Sequence, residues 1–425
     1  MEYNELFKKA KEKNITNIQI TERHNIGSSV NIIDGEIQNF KDYNNISYNT
    51  KAEYNGKTVS TYSNYIDESI LDLLIMKSEA TDSSYTDEYL EDREKIEKNK
   101  PVDFSISEEI KELKRINDLK NTDKSIDKLS SYFMESYTNT RIVNSNGVDI
   151  STDSHLCSAY VDSTVKNKDD FTCYGIQQLE VDKSKIDIEK MMKDAIEKSI
   201  IQSNKKTLET KKYDIILKND VVAQILSYLS IMLSSDSVRK KVSCLENKLD
   251  KKIFSDKLTI IEDPTNKNLP GYRLFDDEGT LTKKKTIIDK GVLKNYLYNI
   301  KEAKIKEIES TGNGYGNIET RNMYIKEGNK SFDELLKDLN NGVYITDYMG
   351  SRGTSINPTT GDISIQIFGF VVENGKIVSG IEPSILTTTI FELFTNIEEI
   401  ANDTLFMNTS VASPSIYIKN ISIAR

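Results

Sequence analysis

Glycine and proline are concentrated in the second half of the chain. Fourteen of the 19 glycines lie from Gly271 onward, and five of the 6 prolines lie from Pro264 onward. Because these residues mark tight turns, the second half is predicted to contain many short strands, and the first half longer helices with fewer hairpins. The chain changes character between residues 210 and 270, so a domain boundary is expected there.

Two dipeptides in the first hundred residues predict β-hairpins. Asp34-Gly35 and Asn55-Gly56 each lie between runs that alternate polar and apolar residues. An amphipathic helix over 67–80 has the spacing to cover one face of the resulting sheet. A charge-rich run at 86–100, ended by Pro101, is interpreted as a solvated helix or linker.

The next hundred residues are predicted to have a similar arrangement of hairpins and helices, although the two sequences do not form a convincing repeat. Helical segments over 106–126 and 191–203 flank strands that meet at Asn146-Gly147. The predicted fold class is therefore α+β. Two N-terminal α+β units of hairpins covered by helices, at 1–100 and 101–210, precede a larger β-rich C-terminal domain at 211–425.

Composition excludes several classes of partner. There are 57 Lys and Arg against 67 Asp and Glu, a net charge of -10, which disfavours direct binding to nucleic acid or an anionic membrane. No apolar stretch is long enough to span a bilayer, and Met1–Lys9 lacks the apolar core of a secretory signal. Three cysteines, an odd number, predict reduced thiols and a cytoplasmic location.

Common catalytic motifs are absent or incomplete. Gly56-Lys57-Thr58 resembles the end of a phosphate-binding loop, but Lys51 occupies the position of the required first glycine. The glycines of 312–316 lack dinucleotide-binding spacing, and no G-x-S-x-G is present. Asp276-Asp277-Glu278-Gly279 has the carboxylates for a hard cation, although a turn closed by glycine is the favoured interpretation.

The two histidines, His24 and His155, do not form a zinc motif. His155-Leu156-Cys157 places two ligand types on one side of a strand, which falls short of a complete site. The sequence therefore predicts no catalytic residue, no metal ligand and no cofactor.

Phrases in the second half resemble, in order, the TldD/PmbA family, once called modulator of DNA gyrase. The phrases are Phe275–Gly279, Ile288–Leu297, Glu309–Asn313, Ile356–Ser364 and Gly369–Ile377. The resemblance is firm from Asp214 to Arg425. It implies a role in proteolysis and peptide maturation, carried out by a paired complex of a metalloprotease subunit, TldD, and a metal-free sister, PmbA or TldE.

The resemblance also indicates which subunit type this is. The protease subunit is expected to carry His-Glu-x-x-x-His on a helix that corresponds to 220–234. The corresponding positions here, called the slot below, are Ser227-Tyr228-Leu229-Ser230-Ile231-Met232, and the segment 220–234 has no His or Glu. The protease subunit is also expected to have a Cys ligand near its C-terminus, whereas 403–415 has no Cys. The resemblance thus implies a PmbA/TldE-like, non-catalytic subunit with a TldD-like partner and an extended peptide substrate. A homodimer remains open.

Two loops are predicted to line a shared substrate cleft, 311–316 and 355–362. The predicted substrate-binding residues are Thr311, Gly312, Asn313, Tyr315, Asn357, Thr360 and Asp362. A tight turn explains Asn-Pro-x-Thr-Gly-Asp equally well. Two other functions stay open at this point: an independent hydrolase centred on Asp276, Asp277 and Glu278, and an interaction protein that modulates DNA gyrase.

Overall fold

The computed structural model describes residues 2–81, 105–349 and 356–425. The predicted linker at 86–100, with Pro101, and the start of the 355–362 loop lie outside these ranges. The described residues form nine α-helices, two short 3-10 helices at Ile116–Thr122 and Lys183–Lys185, and twenty-two strands.

The helices and strands are numbered in chain order. The helices are α1 Tyr3–Glu12, α2 Ser69–Ala80, α3 Ser107–Arg115, α4 Ile188–Gln202, α5 Asn219–Leu233, α6 Ser235–Arg239, α7 Ile300–Lys306, α8 Phe332–Leu339 and α9 Ile390–Thr395. The strands are β1 Asn17–Ile33, β2 Glu36–Tyr54, β3 Lys57–Ser63, β4 Ile126–Asn144, β5 Asp149–Asn167, β6 Asp170–Glu180, β7 Lys205–Lys206, β8 Lys211–Leu217, β9 Ile260–Glu262, β10 Lys285–Asp289, β11 Val292–Leu293, β12 Gly314–Tyr315, β13 Asn317–Ile318, β14 Met323–Ile325, β15 Gly342–Met349, β16 Asp362–Glu373, β17 Lys376–Ile381, β18 Ser384–Thr389, β19 Ile397–Ile400, β20 Leu405–Phe406, β21 Val411–Ser413 and β22 Ile416–Ala424.

The first six strands form a single antiparallel sheet in the order β3-β2-β1-β4-β5-β6. The predicted hairpins at Asp34-Gly35 and Asn55-Gly56 are confirmed, and both residues of each turn have positive φ, as a type I′ turn requires. Each half of the sheet has three strands, with one α-helix before and one after them in the chain. The halves meet where β1 pairs with β4, so the two predicted N-terminal units share one sheet.

Helices cover the two halves differently. Helices α1 and α2 pack through Leu6, Leu71 and Leu74 onto the first half and form a core of their own. Helix α4 packs onto β5 and β6, and its Met192 belongs to a core that also contains Phe370 of the C-terminal domain. The N-terminal sheet and the C-terminal domain therefore bury apolar surface against each other.

Strand pairings in the C-terminal domain form a closed ring. Strands β15, β8, β22, β18 and β16 pair in that order, and β16 pairs back with β15. A second sheet has the order β11-β10-β9-β14-β21-β20. These strands, with the N-terminal sheet and its helices, confirm the predicted α+β class. Across the described ranges, no helix has the length and apolar character needed to cross a membrane.

Candidate functional site

Helix α5, predicted at 220–234 and found at Asn219–Leu233, lies within the C-terminal core. Leu229 and Met232 are fully buried. The Ser227 hydroxyl donates to the Ala223 carbonyl at 3.2 Å, and the Ser230 hydroxyl donates to Thr320 Oγ1 at 3.3 Å. Leu229 and Met232 are therefore core groups, the hydroxyls of Ser227 and Ser230 are paired, and Ile231 is apolar and 50% exposed, so none of these side chains offers an imidazole, thiolate or carboxylate.

The one carboxylate of α5 is at its first turn and is already engaged. Asp220 accepts a hydrogen bond from the Val221 backbone N–H at 2.7 Å and pairs with Lys218 at 2.5 Å. A zinc ion in a hydrolase requires imidazole, thiolate or carboxylate ligands that converge on one point. The residues of α5 do not fit a metal ion.

The loop that holds the first predicted substrate residues is fixed by a buried polar network. Asn313 is fully buried and donates through Nδ2 to Glu262 Oε1 and to the Glu319 carbonyl, both at 2.8 Å. Its Oδ1 accepts from Lys285 Nζ at 3.1 Å and from Thr311 Oγ1 at 2.7 Å. Every polar atom of the Asn313 side chain is thus used to hold the loop.

Tyr315, on β12, lies between two guanidinium groups. Arg321 Cζ is 4.6 Å and Arg273 Cζ is 5.6 Å from the centre of its ring. Burial raises the pKa of the Tyr315 hydroxyl, so the group stays protonated. This ring binds cations of the protein itself and is not available to a substrate.

The acidic turn at 276–278 holds the same loop from the other side. Asp276 is fully buried, and its Oδ1 accepts from the backbone N–H groups of Glu278 and Thr280 at 3.0 and 2.9 Å. Its Oδ2 accepts from the Gly314 N–H at 2.8 Å. Burial, together with the Glu278 carboxylate, raises the pKa of Asp276 to about 7. Since no part of Asp276 reaches solvent, this geometry supports the predicted turn.

Asp277 joins the two parts of the molecule. It pairs with Arg23 of β1 at 2.7 Å and with Arg273 at 3.0 Å. Burial acts to raise the pKa of Asp277, but the two guanidinium groups hold it below its usual value. The loop at 311–316 therefore lies close to the contact between the N-terminal sheet and the C-terminal domain.

The second predicted group forms a tight turn. Asn357 Oδ1 accepts from the Thr359 N–H at 2.9 Å, and the Gly361 N–H donates to the Asn357 carbonyl at 2.7 Å. Thr360 Oγ1 donates to Asp362 Oδ2 at 2.6 Å. Asn357, Thr360 and Asp362 are nevertheless exposed, so their outer surfaces are open to a ligand.

A groove of about 680 Å³ borders the first loop. It is lined by Leu281 and Ile308, which are 52% and 48% exposed, and by polar and charged residues that include Ser310, Lys283, Lys304 and Glu309. Exposed apolar side chains with a few polar groups are typical of surfaces that bind peptides or small molecules. The groove and the exposed turn at 357–362 are the accessible parts of the candidate site.

Sequence reasoning missed the residues that organise this region. Glu262, Lys285 and Arg321 surround Asn313, and the Arg321 N–H donates to Glu262 Oε1 at 2.9 Å. Glu262 stands 51 positions from Asn313 in the chain. No local pattern signals such a pairing, because it depends on the packing of distant strands.

Comparison with protein families identifies the relationship. Residues 210–425 match the family described as PmbA/TldA metallopeptidase C-terminal domain. Residues 99–202 match the corresponding central domain. The chain belongs to the PmbA/TldD metallopeptidase family. The resemblance predicted from the sequence is thereby confirmed.

Two curated relatives align with part of this chain. An uncharacterized protein of Methanocaldococcus jannaschii is 32% identical over 291 residues, which are 66% of this chain and 65% of that protein. A metalloprotease PmbA homolog of Buchnera aphidicola is 32% identical over 227 residues, 53% of this chain and 49% of the relative. The aligned part of the chain thus spans between about half and two thirds of these relatives.

Two solved structures share the fold over nearly the whole chain. TldE from Thermococcus kodakarensis superposes with a TM-score of 0.88 at 19% identity and covers 100% of both chains. A Thermotoga maritima protein named as a modulator of a DNA gyrase gives a TM-score of 0.88 at 23% identity and covers 99% of both. At these identities the likeness establishes the fold alone.

Proposed function

We propose that this chain is a non-catalytic, PmbA/TldE-like subunit that acts in proteolysis together with a TldD-type metalloprotease subunit. The observation that carries the proposal is helix α5, where Leu229 and Met232 are core residues and the helix itself has no imidazole and no carboxylate after Asp220. The partner subunit supplies the metal and the chemistry. This chain supplies surface that shapes the substrate cleft.

The substrate is proposed to be a short or unfolded peptide held in an extended conformation. An extended peptide satisfies its backbone best beside a strand or an open turn, and its side chains then alternate between two faces. Of the predicted substrate residues, Asn357, Thr360 and Asp362 are exposed. The groove beside Thr311 offers apolar surface. Gly312, Asn313 and Tyr315 are buried, and they contribute to the cleft by fixing the position of the loop.

Three free thiols support the proposed cytoplasmic location. Cys157, Cys173 and Cys244 are all unpaired with one another. Reduced cysteines are the rule in a reducing compartment.

Two alternatives receive less support. An independent hydrolase at the acidic turn would need a carboxylate that is free to act on substrate. Asp276 is fully buried with both oxygens bonded to backbone N–H groups, Asp277 pairs with Arg23 and Arg273, and Glu278 accepts from the Ile300 N–H. A role in modulating DNA gyrase rests on the naming of a structure with the same fold.

Cleavage of an unstructured peptide tests whether the partner subunit, and not this chain, supplies the chemistry. The isolated chain is expected to give no cleavage above buffer, and the TldD-like subunit of the same cell is expected to cleave when the two are mixed. A variant of that partner without its metal ligands, mixed with the unchanged chain, serves as the control and should be inactive. Turnover by the isolated chain, or full activity of the partner with no need for this chain, would contradict the proposal.

The exposed turn provides a second test within the same complex. Asp362→Asn keeps an acceptor for Thr360 and removes a charge, so the turn should fold while the rate of peptide cleavage changes by at least about threefold, roughly 0.7 kcal/mol. Asp289→Asn, an exposed carboxylate on β10, is the matched control and should leave the rate unchanged. Equal rates for both variants would leave only a turn role for 357–362.

A further inference from the structure

Three side chains of the types that bind transition metals converge on the N-terminal sheet. Ligand atoms of Glu135, His155 and Cys157 all lie within 4.8 Å of one another. Glu135 on β4 is directly opposite Cys157 on β5, and His155 precedes Cys157 by two residues. Because side chains two apart in a strand share a face, all three project from the same side of the sheet.

The environment of His155 fixes the orientation of its ring. Nδ1 is 3.0 Å from the Val181 carbonyl oxygen, which can only accept a hydrogen bond, so Nδ1 carries the hydrogen. In the neutral ring, Nε2 then presents a lone pair to Glu135 Oε1 at 2.9 Å. Two acceptors at this distance need a cation between them, either a proton or a metal ion. A carbonyl that holds the far nitrogen is also the usual support for a metal-binding histidine.

The charge around this cluster favours a cation. The Glu135 side chain is only 3% exposed, and its Oε2 is 3.2 Å from Lys183 Nζ. Lys183 also pairs with Glu109 Oε1 at 3.1 Å, while Glu109 Oε2 is buried with no hydrogen-bond partner. Two carboxylates share one ammonium group, and the nearby Asp182 adds further negative charge. Three carboxylates, those of Glu109, Glu135 and Asp182, thus lie near two ammonium groups, those of Lys183 and Lys185.

We propose that Glu135, His155 and Cys157 form a binding site for a divalent transition metal ion, with Zn²⁺ as the preferred occupant. The ligands are Glu135 Oε1, His155 Nε2 and Cys157 Sγ. Imidazole, thiolate and carboxylate together match the preferences of Zn²⁺ and exclude Mg²⁺ and Ca²⁺, which favour oxygen ligands alone. His155 is 39% exposed, which gives an ion a path of entry from solvent.

Two of the three ligands are visible in the sequence, which is why the sequence alone predicts no site here. The third, Glu135, comes from the neighbouring strand. The site lies in the N-terminal sheet, whereas the slot that lacks ligands lies on α5 in the C-terminal domain. Metal bound at Glu135, His155 and Cys157 would tie β4 and β5 to the segment at Val181, so its role is structural and independent of the proposed function.

Cobalt(II) provides a direct probe of the site, since a thiolate ligand gives Co²⁺ an intense near-ultraviolet charge-transfer band. The full-length chain is expected to develop this band to one equivalent of Co²⁺ and to lose it when Zn²⁺ is added. Cys157→Ser should abolish the band, and His155→Gln should weaken binding at least about tenfold. Cys173→Ser, which removes a thiol on β6, is the matched control and should bind like the unchanged chain.

Buried Cys157 makes folding of its variant a concern, so circular dichroism accompanies each titration, and the half-exposed His155→Gln variant provides the second test. Zn²⁺ should also raise the unfolding temperature of the unchanged chain but not that of His155→Gln, because a ligand that binds only the folded state stabilises it. The proposal is overturned if no charge-transfer band forms at micromolar chain. It is equally overturned if the band survives in folded Cys157→Ser or disappears in Cys173→Ser.

Discussion

Lys285→Met is expected to destabilise the chain by about 3 to 5 kcal/mol, the usual cost of removing one partner from a buried ion pair. The side chains of Lys285 and Glu262 are 7% and 1% exposed, and their charged atoms are 2.7 Å apart. Without the ammonium group, the Glu262 carboxylate would remain buried and uncompensated. The free energy of unfolding, measured with guanidinium chloride, reports the change.

A matched control separates this pair from a general effect of losing a lysine. Lys283 is two residues away and exposed, so Lys283→Met should change the free energy of unfolding by less than about 0.5 kcal/mol. Adding Glu262→Gln to Lys285→Met should recover part of the loss, because no buried charge is then left. A cost below about 1 kcal/mol for Lys285→Met would show that Glu262 finds another partner or takes up a proton.

Gly369→Ala is expected to prevent normal folding of the C-terminal domain, at a cost above about 4 kcal/mol. A Cβ atom at Gly369 would lie 2.1 Å from the Tyr344 carbonyl oxygen and 2.9 Å from Ile345 Cα, both of the neighbouring backbone. The pairing of β15 with β16 shifts register at this point, between Ile345 and Asp347. Backbone cannot move aside as a flexible side chain can, so the ring of strands would have to open.

Soluble yield and the unfolding temperature measure this effect. Gly56→Ala serves as the control, since Gly56 has a φ of +69° but a Cβ atom added there would have no neighbour within 4 Å. This control should cost only about 1 to 2 kcal/mol, the usual penalty for a left-handed residue other than glycine. If Gly369→Ala were no more harmful than Gly56→Ala, the close approach of β15 would not constrain this position.

Local signals in the sequence were sufficient for much of the fold. Asp34-Gly35 and Asn55-Gly56 mark their hairpins because the residues themselves favour positive φ. The hairpin between β5 and β6 was missed, because its turn has Lys168 at a φ of 57° and lysine carries no such signal. The pairing of β1 with β4 was equally beyond prediction, since it depends on contacts between distant segments.

In the candidate site, too, local features could be predicted and contacts between distant segments could not. The tight turn at Asn357 and the turn at Asp276 follow from local side-chain to backbone hydrogen bonds, which the sequence indicates. At Gly369 the backbone of β15 approaches closely, a contact between segments that are not adjacent in the chain. A glycine inside a strand indicates that another group packs closely against it, but it does not indicate which segment of the chain that is.

The position of β22 has a consequence for the growing chain. This strand, Ile416–Ala424, lies between β8, made about two hundred residues earlier, and β18. Until it emerges during synthesis, β8 and β18 each present an unpaired strand edge, and β8 also carries the apolar run Ile215, Ile216 and Leu217. Unpaired edges of this kind promote aggregation. Nascent chains stalled before residue 416 should therefore depend more heavily on chaperones than chains that have passed it.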